Sequence, residues 1–255
     1  MKNKIKIFVY TGSCNAHSTT AKLAEQLVST IDEITKVDVA ADFYSGSNTL
    51  IKECVGCTQC FIQGRCALDA RDDMPVLRQK MMEADCIILG SPVYFHAVSG
   101  NMKTFMDRLS SWTHTMECAG KIGAVVAASG GNGLNYVTDY LKKFMDYLGI
   151  VNLGSIGAAT YNESYMTEQK ITESLRPEFT EVAERIRAIY EEGEVPQPDD
   201  LQRQVFLMNN KKYKELEEYR DNAAEIRKWL DKGYTSYSGF DAVIRDRFFP
   251  DKYDK

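Results

Sequence analysis

The chain has 255 residues, seven of them cysteine, and a formal net charge of −5. That length suits one sizeable core with an appendage, and the acidic balance excludes the broad basic footprint of a nucleic-acid binder. No apolar run is long enough for a membrane span, and the one after the charged start is too short for a secretory leader. An odd cysteine count in a cytoplasmic setting points to metal or redox chemistry rather than to a disulfide framework.

In chain order, "KIKIFVYTG" is a β-rich run ending at Gly12, and "TTAKLAEQLVSTI" places Ala21, Ala24, Leu27, Val28 and Ile31 at helical spacing. "KVDVA" predicts a second strand and "MPVLRQKMMEA" a helix. "DCIILGSPVYF" is apolar without alternation, as in a parallel strand covered on both faces. "GNMKTFMDRLSSW" then puts Met102, Phe105, Met106, Leu109 and Trp112 on one helical face. "KIGAVVAASGGNG", "LNYVTDYLKKFMDYLG" and "LGSIGAATY" add a strand, a helix and a strand. Five strands alternating with helices over residues 5–160 predict an α/β fold with a doubly wound parallel sheet. Residues 1–162 form the predicted main domain, and 50–74 a cysteine-rich insertion within it.

Residues 163–255 predict a helical extension. Phe179, Val182, Ala183, Ile186 and Ile189 form one stripe, and Leu216, Tyr219, Ala223, Ile226 and Leu230 form a narrow seam on a second helix. Such a seam suits a partner helix or the main domain's own surface. The tail from Gly233 is aromatic and charged without clear period.

Ligands of open α/β sheets bind beyond the carboxyl ends of the strands, where three loops fall. "TGSCNAHSTTAK" offers Ser13, Asn15, Ser18, Thr19 and Thr20 at a helix start, a cradle for a phosphate in which Ser18 or Thr19 could equally serve as a cap. Neither a P-loop nor a dinucleotide fingerprint is present, which favours a phosphate monoester. Pro92, Val93, Tyr94 and Phe95 make a stiff turn with aromatic rings suited to a flat heteroaromatic ligand, unless both rings are core. Ser129, Gly130, Gly131 and Gly133 would let a third backbone segment approach the same ring. No side chain stands out as a catalytic acid or base. His96 and His114 fit surface or packing roles.

"GSPVYFHAVSGNMKTFMDR" resembles the signature of the flavodoxin-like NAD(P)H-dependent FMN reductases, and "GSCNAHSTTAKLAE" lies on their phosphate-loop pattern, with Cys14-Asn15 in place of Pro-Arg and Thr19 in place of Asn. The resemblance covers residues 4–160. It implies a five-stranded flavodoxin-like sheet, FMN at the three loops, NAD(P)H as electron donor and a homodimer or homotetramer. "CVGCTQCFIQGRC" is similar to the compact motif of the iron–sulfur flavoprotein branch, implying Cys54, Cys57, Cys60 and Cys66 as ligands of a [4Fe–4S] cluster. By residue type alone, zinc and bare thiols remain open. The expected function is an oxidoreductase passing electrons from NAD(P)H through FMN to a small-molecule acceptor. The alternatives are an electron carrier for a protein partner and a non-redox scaffold that binds through its helical tail.

Overall fold

The computed structural model describes residues 3–160 and 168–250. Its central sheet runs β2 (Asp38–Ser45), β1 (Lys4–Thr11), β3 (Cys86–Tyr94), β5 (Lys121–Ser129), β6 (Ile150–Ala159), all parallel. A two-residue strand, β4 (Ala97–Val98), folds back antiparallel on β3. It is a sixth strand beside the five expected, created by the turn at Phe95 and His96.

Alternation along β1 divides the core. Ile5, Ile7 and Val9 face α1 (Thr19–Ile34) and α8 (Arg176–Arg187), whereas Phe8 and Tyr10 face α3 (Met74–Glu83), α4 (Gly100–Asp107) and α6 (Leu134–Leu148). With helices on both sides, Cys86 to Ser91 of β3 are buried without alternation. Burial pushes the Cys86 and Cys118 thiols up to about 12, so both are inert packing groups. The sheet order is flavodoxin-like, and its reversal between β1 and β3 opens a crevice at their carboxyl ends.

The second strand extends to Ser45, beyond the predicted "KVDVA". The helix expected from Gly100 to Trp112 breaks after Asp107 and resumes as α5 (Ser110–His114), since Arg108 and Leu109 cap its two halves. The insertion contains only α2 (Gln59–Ile62) and a 3-10 turn at Asp69–Arg71.

In the extension, α7 (Glu168–Ser174) precedes α8, and the predicted stripe is buried as expected, with Ile189 in the π-helical turn Ala188–Glu192 that follows α8. The predicted seam does not lie on one helix. Leu216 caps the end of α9 (Asp200–Glu215), Tyr219 lies in a 3-10 segment Glu217–Asn222, Ala223 caps the start of α10 (Ala224–Asp231), and only Ile226 and Leu230 lie within α10. Glu217 and Glu218 follow the carboxyl end of α9, where the helix dipole disfavours them, and Asp221 and Asn222 favour turns over helix interior. Tyr219 of the seam is exposed, and the buried anchors are Phe206, Tyr213, Trp229, Tyr234 and Phe240. Their rings pack at 4.8–5.7 Å into one cluster continuous with the main core. The tail read as aperiodic contains α11 (Phe240–Phe248), which buries Phe240, Val243 and Ile244. The expected domain boundary at 162/163, Tyr161 and the final residues 251–255 lie outside the described residues. No helix among the described residues is long and apolar enough to cross a membrane.

Candidate functional site: three flavin loops and a cysteine loop

The first loop leaves β1 at Gly12 and turns through two local hydrogen bonds, from Asn15 N to Ser13 Oγ at 3.1 Å and from His17 N to Asn15 Oδ1 at 3.0 Å. Ser18 is extended and accepts from Ala21 N at 3.2 Å, so it is the helix cap. Asn15 and Ser18 thus spend acceptors on the loop itself. Thr20 differs: it is buried, and its Oγ1 has no hydrogen-bond partner. An orphaned hydroxyl at the start of a 16-residue helix with no acidic residue in its first turn fits a phosphate.

The second loop is tied to the first by two serines that the sequence pattern did not single out. Ser99 Oγ donates to Gly12 O at 2.6 Å, its N–H donates to Ser91 Oγ at 2.9 Å, and Ser99 also caps α4. Gly12 N donates to Gly90 O at 2.8 Å. A Cβ on Gly12 would lie 2.3 Å from Ser99 Oγ, so the close approach requires glycine. Beyond Pro92 the chain reverses through Phe95 and His96 at φ 49° and 61°, a primed hairpin turn built without glycine. Backbone held in that region by non-glycine residues marks functional sites. Tyr94 and Phe95 are exposed, which removes the alternative that they are core.

The third loop meets the second. His96 Nε2 lies 3.0 Å from Asn132 Oδ1, and its ring stacks on Tyr136 at 5.3 Å. A Cβ on Gly133, where φ is 83°, would come within 2.8 Å of the His96 ring. Ser129 is buried; its Oγ donates to Asn132 O and accepts from Gly131 N. Beside Gly130 and Gly131 the space is open, with no atom within 4 Å of an added Cβ. The three expected loops therefore form one continuous wall around the β1/β3 crevice, with room against the third for a planar ligand. Asn101 of α4 also reaches Cys14, donating to its sulfur at 2.7 Å.

The cysteine loop lies at the other end of α4. Cys54 and Cys57 are exposed, and Cys60 and Cys66 are half-buried. Burial pushes the Cys60 thiol up, and Cys66 and Cys54 are close enough to add to that shift. The donor set of four thiols suits an iron–sulfur cluster by chemistry, although no three metal-binding side chains among the described residues are closed on one point. Arg108 binds this loop: its guanidinium pairs with Asp72 and Asp69 and donates to Lys52 O at 2.9 Å. Burial opposes ionisation of Asp72, and Arg108 together with the Lys52 and Met74 N–H groups outweighs it, holding the carboxyl below its usual range. A separate cavity of about 400 Å³ lies at the amino ends of β3 and β5, lined by Asp85, Lys121, Tyr190 and Arg247. It is the length of the strands away from the flavin loops and takes no part in this site.

A parallel sheet of this order, with a hydroxyl-rich loop after β1 and open backbone after β5, defines a flavodoxin-like fold. The chain belongs to the NADPH-dependent FMN reductase family, whose profile matches residues 5–163. An iron–sulfur flavoprotein of Archaeoglobus fulgidus is 37% identical over 109 residues, 42% of this chain and 49% of that one. One of Methanocaldococcus jannaschii is 33% identical over 123 residues, 48% of this chain and 61% of that one. The match thus spans about half the length of the first relative and somewhat more of the second. A third iron–sulfur flavoprotein, from Clostridioides difficile, is 24% identical over 233 residues, 89% of this chain and 98% of that one. The FMN complex of an FMN-dependent NADH-azoreductase from Bacillus anthracis shares the fold with a TM-score of 0.54 at 15% identity, covering 72% of this chain and 99% of that one.

Proposed function

We propose that this protein is an FMN-dependent NAD(P)H oxidoreductase whose cysteine loop carries a [4Fe–4S] cluster on the path to a small electron acceptor. The observation that carries this reading is α4, whose amino end is bonded to the phosphate loop through Ser99 and whose carboxyl end is bonded to the cysteine loop through Arg108. Bound FMN would supply two-electron hydride acceptance and single-electron release. The protein's part is binding and orientation. Thr19, Thr20 and the α1 amides would hold the phosphate, with Ser13, Asn15 and Ser18 shaping the loop. Pro92, Val93, Tyr94 and Phe95 would lie along the ring system, and Ser129, Gly130, Gly131 and Gly133 would border its other edge. Cys54, Cys57, Cys60 and Cys66 would ligate the cluster.

The exposure of Cys57 and of the neighbouring Val55 favours a second reading of the acceptor, a protein partner docking at the thiol loop. Anaerobic purification followed by iron and sulfide analysis, a visible spectrum and NADH or NADPH oxidation assays tests all three parts separately. Flavin without nicotinamide turnover favours the carrier, and iron-free protein after anaerobic reconstitution removes the cluster. We also propose assembly into a homo-oligomer, supported by exposed Tyr94, Phe95, Tyr136 and Met208. Light scattering on the intact chain tests this, and a monomer at all concentrations refutes it.

A further inference from the structure

The cysteine loop has almost no secondary structure, yet both of its ends converge on a single guanidinium. Arg108 and Asp72 are a buried pair whose side chains are each 0% exposed. On one side, Arg108 donates to Lys52 O at 2.9 Å, while Asp72 accepts from Lys52 N at 3.0 Å. On the other, Arg108 reaches Asp69 at 3.3 Å, and Asp69 accepts from Cys66 N at 3.2 Å and pairs with Arg78. Asp72 also accepts from Met74 N at 3.2 Å, joining the clamp to the start of α3.

Two features go beyond what a structural ion pair needs. A fully desolvated pair gains little over apolar packing of the same volume, so it is a poor way to obtain stability alone. Moreover, the network leaves one donor over: Arg108 Nε is buried without a hydrogen-bond partner. An unmet donor of this kind normally signals a missing acceptor. The Cys66 side chain lies against the same guanidinium.

We propose that Arg108 is a positioning residue for the cysteine loop. It holds Lys52 to Asp72 folded before metal binds, and its unmatched Nε–H is the donor for the Cys66 sulfur once that sulfur is a cluster ligand. This rests on the cluster reading above. Lysine cannot reproduce the arrangement, because a point ammonium cannot span Lys52 O, both carboxylates and a sulfur at once. A cationic N–H to a ligand sulfur stabilises the reduced, more negative cluster.

The test uses the full chain as wild type, Arg108→Lys and Arg108→Gln, with Lys143→Gln, an exposed lysine of α6, as a cation-loss control. Before reconstitution, iodoacetamide alkylation of the loop thiols is timed. After anaerobic reconstitution, iron is counted and the cluster potential is measured by EPR-monitored titration. Arg108→Lys should bind FMN as wild type does, alkylate about tenfold faster or more, and favour the oxidised cluster about tenfold, which for a one-electron couple is about 59 mV lower. The control should alkylate at the wild-type rate. Should Arg108→Gln fail to fold, Arg108→Lys still decides. A folded Arg108→Lys protein with unchanged alkylation and potential overturns the proposal. Iron-free wild type overturns the cluster reading and the sulfur-donor half together, while the alkylation rates still decide the clamp.

Discussion

Replacing Thr20 with valine separates a phosphate ligand from a packing threonine, because the two roles predict effects of opposite sign. The side chain is buried and its methyl lies close to Gly90, where an added Cβ would stand 3.1 Å from Thr20 Cγ2. Valine keeps that methyl and exchanges only the hydroxyl. In the flavin-free protein the hydroxyl is an unpaired buried group, whose desolvation costs about 1–3 kcal/mol. Thr20→Val should therefore raise the denaturation midpoint of the apoprotein. With FMN bound, the same hydroxyl would donate to a dianionic phosphate, a charge-assisted bond worth about 1.5–3 kcal/mol. Its loss should weaken FMN binding by about 10- to 150-fold, taking about 1.4 kcal/mol per factor of ten. Fluorescence titration of flavin-depleted protein measures the constant, and riboflavin, which lacks the phosphate, should bind both forms equally. A change in FMN affinity below about twofold, or an apoprotein made less stable, refutes the assignment.

Gly131→Val should leave thermal stability unchanged, since open space surrounds that position, but weaken FMN and riboflavin alike in the same titration. Trp229→Ala should cost about 3–5 kcal/mol in urea denaturation, as the ring stacks on Tyr213 at 5.2 Å and meets Tyr234 at 4.8 Å. Burial raises Asp146 to about 6 despite its contact with Lys142. A raised carboxyl contributes stability that is present below the unfolded value and lost as pH rises through the folded one. The thermal midpoint of Asp146→Asn should thus match wild type near pH 4, exceed it increasingly as pH rises from about 4 to about 6, and keep a constant lead above that.

The sheet was legible because burial leaves a local trace. The unbroken apolar run of β3 and the stripes of α1, α4 and α8 each record what covers them, without reference to distant residues. The three strand-end loops proposed as the flavin site were legible as loops for a similar reason, as each follows a buried strand. What joins them was not. The bond from Ser99 to Gly12 crosses 87 positions and that from Arg108 to Lys52 crosses 56, and no periodicity encodes such a pair. Thr20 and Ser18 look alike in sequence, yet one is an orphan on the floor and the other a cap, a distinction made only by where each oxygen ends up.

Of the two surfaces that the spacing from Leu216 to Leu230 suited, a partner helix or this chain's own, the described residues show the second: α10 packs against this chain's own cysteine loop and aromatic core. Gly64 faces α10 so closely that an added Cβ would be 3.1 Å from Ala224. The Phe61 ring lies 4.8 Å from His114, which in turn bonds Glu225 at 2.9 Å. Glu225 also accepts from Tyr213 at 3.3 Å, so the anchor passes from the insertion through α5 and α10 into α9. An insertion whose one helix has four residues cannot bury its own backbone or fix its own shape. Arg108 secures its ends from the sheet side, and α10 secures its middle from the outside. The extension is therefore part of what holds the cysteine loop in place: Gly64 lies against Ala224 of α10, and Phe61 is joined to Glu225 of α10 through His114.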